Sequence, residues 1–182
     1  MENRIIIAGF GGQGILFLGR ILAYTGMLEN REVTWFPSYG AEMRGGTANC
    51  TVIISDELIG SPVVTNPDIL IVISDASLKK FQPRLKQNGL IIFDSSLIKD
   101  PALRTDIEIV GVPATEISTA IGNTKSANMV LLGALIAKTG LLKKESIFEA
   151  LDSSMPIRRK KSIEVNKKAI IEGIRFIEDK KG

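Results

Sequence analysis

A glycine-rich segment close to the N-terminus is the first feature whose residue types and spacing could do chemistry. Gly9-Phe10-Gly11-Gly12-Gln13-Gly14 fits the G-x-G-x-x-G pattern, with glycines at Gly9, Gly11, Gly12 and Gly14 and a glutamine at Gln13. Glycines permit a tight turn, let backbone N–H groups approach an anion, and let a helix pack close to a strand. The exposed N–H groups and the helix dipole favour a phosphate. Three uses remain open: an anion or cofactor-tail contact, classical NAD or FAD binding, and a purely structural turn.

The dinucleotide interpretation lacks its second requirement. A dinucleotide site places an acidic residue at the end of the second strand, where it binds the ribose hydroxyls. Here the second strand is predicted to end at Trp35-Phe36-Pro37, while Glu29 and Glu32 come before it. The sequence therefore disfavours classical NAD or FAD binding.

A second glycine-rich loop spans Pro37 to Thr47 and combines a tyrosine, an acid and a base: Tyr39, Glu42 and Arg44. In a Rossmann-like sheet, loops at the carboxyl ends of strands line the ligand crevice, so this loop is expected to face the first glycine loop. Arg44 could clamp a phosphate or carboxylate, or it could pair with Glu42. The alternative is an ordered loop with a local ion pair at a subunit contact.

Four single residues have two interpretations each. Asn128 begins an apolar stretch, so it is expected to cap a helix or form a buried hydrogen bond, with a ligand or partner contact as the alternative. Cys50 lies in a predicted strand and is expected to be a buried, inert thiol, because nothing nearby would lower its pKa; a reactive thiol is the alternative. Trp35 and Phe36 are expected in the core, with an interface anchor as the alternative.

Absences and charge limit the chemistry further. The chain has no histidine and one cysteine, so the commonest general base is missing and four thiolates for an iron–sulfur cluster are unavailable. We expect no catalytic residue and no metal site on this chain.

The net charge of the chain is +3. The basic runs at 158–161 and 180–181 are expected to lie on a solvated helix face or to meet an acidic or phosphate-bearing partner. We expect the chain to bind neither nucleic acid nor a membrane. We expect a cytoplasmic location.

Short apolar strands alternate with helical segments along the 182 residues, which predicts a parallel sheet covered on both sides. We expect an α/β fold: a single-domain, Rossmann-like three-layer sandwich with a mostly parallel sheet and a helical C-terminal part. Strands are predicted at 4–9, 32–36, 48–54, 68–73, 89–93 and 107–110. Helices are predicted at 13–28, 76–86, 115–121, 127–138, 143–151 and 162–178.

Four stretches, taken in order, resemble the gamma subunit of the 2-oxoacid:ferredoxin oxidoreductases, which is equivalent to one domain of the single-chain pyruvate enzymes. The combination of the Gly-Gly-Gln-Gly form with Glu-Met-Arg-Gly-Gly is the most specific part of the resemblance. The stretches are Gly9–Gly14, Ser38–Gly46, Asn66–Ile71 and Ser126–Gly133.

The resemblance implies that residues 1–182 form one gamma-type domain of a complex that decarboxylates a 2-oxo acid, reduces ferredoxin and forms an acyl-CoA. Thr47-Ala48-Asn49-Cys50 favours the 2-oxoglutarate type over the pyruvate type, with branched-chain 2-oxo acids and indolepyruvate as the alternatives. Thiamine diphosphate and iron–sulfur clusters are then expected on alpha, beta and delta partner chains, and coenzyme A in the complex. On this chain Gly9, Gly11, Gly12, Gln13, Gly14, Tyr39, Arg44 and Asn128 are the expected phosphate, coenzyme A or interface contacts. A free-standing nucleotide-binding protein is the alternative, and an isolated chain could form a homodimer.

Overall fold

The structure, a computed structural model, describes residues 1–38, 47–99, 101, 103–154 and 160–180. The strands are β1 (Glu2–Phe10), β2 (Glu32–Ser38), β3 (Thr47–Ser55), β4 (Ile69–Val72), β5 (Leu90–Asp94) and β6 (Glu108–Val112). The helices are α1 (Ile15–Leu28), α2 (Asp75–Phe81), α3 (Ala114–Ala120), α4 (Ala127–Thr139), α5 (Lys144–Ser154) and α6 (Lys160–Asp179). Short 3-10 turns at Gln82–Arg84 and Thr124–Ser126 follow α2 and precede α4.

The strands form one sheet in the order β2-β3-β1-β4-β5-β6. Strands β1, β4, β5 and β6 run parallel, while β3 is antiparallel to both of its neighbours, β1 and β2. The predicted mostly parallel α/β sandwich is confirmed. The strand alternation did not indicate the reversed β3, because a strand buried on both faces is apolar whether its neighbours run parallel or antiparallel.

The helices cover the two faces of the sheet unequally. On the first face, α1 and α4 pack on the apolar side chains of the sheet around Ile5, Val52 and Ile71, and α3, α5 and α6 pack on these two helices. On the second face, α2 and the adjoining loops cover a smaller cluster around Ile6, Leu70 and Phe81. The second face therefore has a thin helical layer, and the larger core lies on the first.

Helices α4 and α6 approach one another closely through two glycines. A β-carbon on Gly133 would lie 2.1 Å from the carbonyl oxygen of Ile170, and one on Gly173 would lie 2.0 Å from the carbonyl oxygen of Val130. Residues Ala127–Ile136 of α4 are all buried, so this helix is a central element of the first-face core. The prediction of an apolar, buried helix at 127–138 is confirmed.

Most predicted elements agree with the structure within a few residues. The main difference is at 76–86, where α2 ends at Phe81 and a 3-10 turn continues to Arg84. Pro83 explains the break, because proline lacks the N–H that would extend the α-helical ladder. Among the described residues, no helix combines the length and apolar character needed to cross a bilayer.

Candidate functional site

The first glycine loop is a tight turn between β1 and α1. Gly12 has φ +91° and Gly14 has φ +74°, both in the left-handed region that favours glycine. The Gln13 side chain folds back, and its Oε1 accepts a hydrogen bond from the Phe10 N–H at 2.6 Å. Gly14 is the N-cap of α1 and contributes no side-chain cap, so the first N–H groups of this helix face the loop without a capping side chain.

Asn128 connects this loop to α4. Its Nδ2 donates to the Gly14 carbonyl at 3.0 Å, and its Oδ1 accepts from the Met129 N–H at 2.9 Å. The side chain is 3% exposed, so its amide is buried and hydrogen-bonded within the protein. The expected buried hydrogen-bonding role is confirmed; the N-cap position of α4 itself belongs to Ser126.

Two cavities flank the glycine loop. The one towards β3 has a volume of about 260 Å³ and is lined by Phe10, Gly11, Gly12, Gly14, Ile15, Leu16, Phe17 and Ala48. The one towards β4 has a volume of about 200 Å³ and is lined by Gly12, Gln13, Ile73, Leu97, Thr115, Thr124, Lys125 and Ala127. The second cavity lies between the carboxyl ends of β1 and β4, where the chain order of the sheet reverses. That position is the usual ligand crevice of an open α/β sheet.

Sequence reasoning missed several residues of the second cavity, among them Thr115 and Lys125. Thr115 is held in place by the fully buried carboxylate of Asp94: the Thr115 hydroxyl donates to Asp94 Oδ2 at 2.5 Å, and its N–H donates to the same oxygen at 3.1 Å. Asp94 is the last residue of β5, and an acidic residue at the carboxyl end of a predicted strand could have indicated this part of the site. Lys125 lies in the turn before α4 and carried no such signal.

Part of the second glycine loop, residues 39–46, lies outside the described residues, and with it the expected contacts Tyr39 and Arg44. The strand ends on either side are placed: Phe10 pairs with Thr47, and Ser38 pairs with Asn49. These pairings bring the residues that flank the second glycine loop to the same end of the strands as the first glycine loop. The structure brings together Gly9, Gly11, Gly12, Gln13, Gly14 and Asn128 of the expected site.

The sheet order adds a second argument against a classical dinucleotide site. In that fold, β2 lies beside β1 and its end carries the ribose-binding acid. Here the antiparallel β3 separates β1 from β2, and β2 ends at Phe36, Pro37 and Ser38 without an acid. A ribose bound at the β1 turn would therefore lack its usual carboxylate partner.

Cys50 is fully buried in β3, as expected. Its Sγ donates to the Ile15 carbonyl at 3.6 Å, and burial raises the pKa of the thiol to about 12. Because the thiolate is the reactive species, the native thiol stays protonated and unreactive across the physiological pH range. The chain has no histidine and this single cysteine, so it cannot supply the four thiolates of a cluster.

This burial leads to a prediction for thiol labelling. In the native protein at pH 8, Cys50 should react with a thiol reagent at least about a hundredfold more slowly than in urea-unfolded protein. The measurement is the release of the coloured anion from a disulfide reagent with time. A rapid, stoichiometric reaction of the folded chain would show that the thiol is accessible.

The two aromatic residues of β2 differ from each other. Trp35 is partly buried and packs against the first-face core, which agrees with the expectation. Phe36 is 55% exposed, so its expected core position is wrong. Successive side chains of a strand point to opposite faces, and the apolar cluster of the second face, as far as the structure describes it, includes no residue of β2.

The sequence model of the pyruvate ferredoxin/flavodoxin oxidoreductase family, named POR, matches residues 4–176. The ketoisovalerate oxidoreductase subunit VorA of Methanothermobacter marburgensis is 38% identical over 94% of this chain and 36% of its own. The chain thus spans about a third of the length of that relative. The 2-oxoglutarate synthase subunit KorC of Methanocaldococcus jannaschii is 38% identical over 86% of this chain and 85% of its own.

Solved structures share the fold. The gamma subunit of a keto/oxoacid ferredoxin oxidoreductase from Geobacter sulfurreducens superposes with a TM-score of 0.83 at 28% identity, covering 96% of this chain and 98% of that one. A 2-oxoglutarate:ferredoxin oxidoreductase from Magnetococcus marinus, with 2-oxoglutarate, coenzyme A and succinyl-CoA bound, has a TM-score of 0.89 at 20% identity. It covers 98% of this chain and 31% of its own and shows likeness of fold. The family match over residues 4–176, with these relatives, shows that the chain belongs to the pyruvate ferredoxin/flavodoxin oxidoreductase family.

Proposed function

We propose that this chain is the gamma subunit of a multi-subunit 2-oxoacid:ferredoxin oxidoreductase. The complex oxidatively decarboxylates a 2-oxo acid, transfers the acyl group to coenzyme A and reduces ferredoxin. The gamma chain is one domain that completes the assembly without contributing a catalytic residue. The observation that carries this proposal is the match to KorC, which extends over 86% of this chain and 85% of that subunit.

The proposed substrate is 2-oxoglutarate. KorC proteins are named for 2-oxoglutarate synthase, and the Thr47-Ala48-Asn49-Cys50 segment favours the same type. The VorA relatives, one of them 42% identical over 152 residues, make ketoisovalerate the second candidate. Assays of the native complex with 2-oxoglutarate, ketoisovalerate, pyruvate and indolepyruvate would decide, with kcat/KM for each acid as the measure.

The redox groups belong on partner chains in this proposal. The single thiol is buried and protonated, which supports placing the iron–sulfur clusters elsewhere. Thiamine diphosphate, which supplies the carbanion chemistry when bound, is assigned to the alpha and beta subunits, with a delta subunit as a further cluster carrier. The described residues contain no group of three or more acidic or cysteine side chains arranged around a metal.

The residues at the glycine loop fit a phosphate of coenzyme A. The loop presents N–H groups at the uncapped start of α1, and a β-carbon on Gly12 would meet nothing within 4 Å, so the backbone there faces open space. Lys125 adds a cation to the neighbouring cavity. Arg44, from the second glycine loop, is proposed to bind the same ligand. This chain would then orient coenzyme A, while the acyl transfer takes place on the partner chains.

This contact gives a kinetic prediction. In the whole complex, Lys125→Ala and Arg44→Ala should each raise the apparent KM for coenzyme A about tenfold, because a charge-assisted hydrogen bond to phosphate is lost. The KM for the 2-oxo acid should stay unchanged. Arg175→Ala, an exposed arginine on α6, is the matched control. An unchanged KM for coenzyme A in both variants would leave these residues with structural or interface roles.

Two experiments test the assignment itself. Affinity purification of the tagged chain from its own cells should recover thiamine-binding and iron–sulfur chains, and the purified chain by itself should not turn over 2-oxo acids. Calorimetry with NAD, NADP and FAD tests the alternative of a free-standing nucleotide-binding protein. Recovery of no such chains, together with tight NAD binding, would contradict the proposal.

A further inference from the structure

Strand β2 is an outer strand of the sheet with no further strand beside it among the described residues, and apolar side chains lie on both faces of this edge. On one face, Met27 at the end of α1 is 60% exposed beside the partly buried Val33 and Trp35. On the other face, Phe36 is 55% exposed. Aromatic and methionine side chains exposed together at one edge are typical of a protein interface.

A cavity of about 380 Å³ opens beside this edge, on the first face. It is larger than either cavity at the glycine loop and is predominantly apolar. Its lining comes from α1, β2 and the end of α5: Arg20, Ala23, Tyr24, Met27, Val33, Trp35, Ser153 and Ser154. The volume suffices for one or two large apolar side chains.

The edge has little protection against pairing with another strand. Edge strands of monomers are usually blocked by inward or central charges, prolines or bulges. In β2 the charge is at one end, at Glu32, and the proline near the other, at Pro37, while Val33 to Phe36 are uncharged. The central part of the strand can therefore accept main-chain hydrogen bonds from an added strand.

The relatives point to a companion chain that is available to cover this edge. In the two VorA chains, the matched region accounts for 36% and 31% of the polypeptide, so further domains are covalently joined to it there. Under the proposed function, a separate companion subunit corresponds to those further domains. The edge therefore has a companion chain available to cover it.

We infer that the β2 edge and its cavity bind an extended segment of this companion chain by strand addition. Main-chain hydrogen bonds to β2 would provide affinity, and alternate side chains would provide specificity. The cavity takes an apolar side chain of the segment. Arg20 lies at the rim of the cavity, is exposed and has no ion pair among the described residues. It therefore favours an acidic residue of the segment beside the apolar side chain that enters the cavity. The inference rests on the proposed function, because that function defines the companion.

The test compares the two edges of the same sheet in the co-expressed complex. Phe36→Glu and Met27→Gln change exposed side chains of the β2 edge, while Ile109→Glu changes a 45% exposed side chain on the opposite edge strand, β6. Each tagged chain is used to recover the companion subunits. The β2-edge variants should recover at least about tenfold less companion than the wild type, and Ile109→Glu should recover an equal amount. Thermal unfolding of each free chain checks that the variants are folded.

The outcomes separate the two levels of inference. If the wild type recovers its companions and the β2-edge variants do so equally well, the edge assignment is wrong and the proposed function stands. If the wild type recovers no thiamine-binding chain, the proposed function fails and the inference with it. If sedimentation of the free chain shows a dimer that Phe36→Glu dissociates, while companion recovery is unchanged, a second copy covers the edge and our assignment is overturned.

Discussion

Gly173→Ala should destabilise the chain by about 3–5 kcal/mol, although alanine is the better helix former by about 1 kcal/mol. The added β-carbon would lie 2.0 Å from the Val130 carbonyl oxygen and 3.1 Å from the Ala134 nitrogen. These are backbone atoms within α4, whose positions are fixed by its hydrogen-bond ladder. Relief therefore requires the two helices to separate, and separation opens the first-face core.

The measurement is urea unfolding followed by the fluorescence of Trp35, the single tryptophan of the chain. Gly133→Ala should have a similar effect, because its β-carbon would lie 2.1 Å from the Ile170 carbonyl oxygen. Lys168→Ala places the same residue on the exposed face of α6 and should change stability by less than about 0.5 kcal/mol. Equal unfolding midpoints for Gly173→Ala and Lys168→Ala would contradict the close helix contact.

Local patterns of apolar residues were sufficient to predict most of the strands and helices. Three consecutive isoleucines, followed by Ala8 and a glycine, indicate β1. The spacing of four isoleucines predicts one face of α6, and the structure buries three of them and partly buries the fourth: Ile163, Ile170, Ile177 and, partly, Ile174. Neither pattern contains information on strand order. The antiparallel β3 between β1 and β2 depends on pairing between distant segments, which residue alternation does not encode.

The candidate site was predictable only where it depends on local sequence, and not where it depends on contacts between distant residues. The turn geometry at Gly12 and Gly14 follows from glycine spacing, whereas the hydrogen bond from Asn128 to the Gly14 carbonyl joins residues 114 positions apart. Lys125 faces the cavity because α4 begins beside the glycine loop. The exposure of Phe36 depends on how far the apolar cluster of the second face extends, and in the described residues that cluster does not reach β2.

Gly14→Ala should cost about 2–4 kcal/mol of unfolding free energy, more than Gly12→Ala, although both glycines have a positive φ. At Gly12 a β-carbon would meet nothing within 4 Å, so the cost there is backbone strain of about 1–2 kcal/mol. At Gly14 the β-carbon would also lie 2.3 Å from Asn128 Nδ2. The amide must then move away from the Gly14 carbonyl and lose its hydrogen bond in a buried position.

A double-mutant cycle with Asn128→Ala separates the backbone strain at position 14 from the steric clash with the Asn128 side chain. Once the amide is removed, Gly14→Ala should cost no more than Gly12→Ala, so the coupling energy between positions 14 and 128 should be at least about 1 kcal/mol. Urea unfolding of the four chains gives this value directly. If the two substitutions are additive, Asn128 does not hold the start of α1. The glycine loop then owes its shape to the backbone preferences of Gly12 and Gly14, and not to the contact with Asn128 of α4.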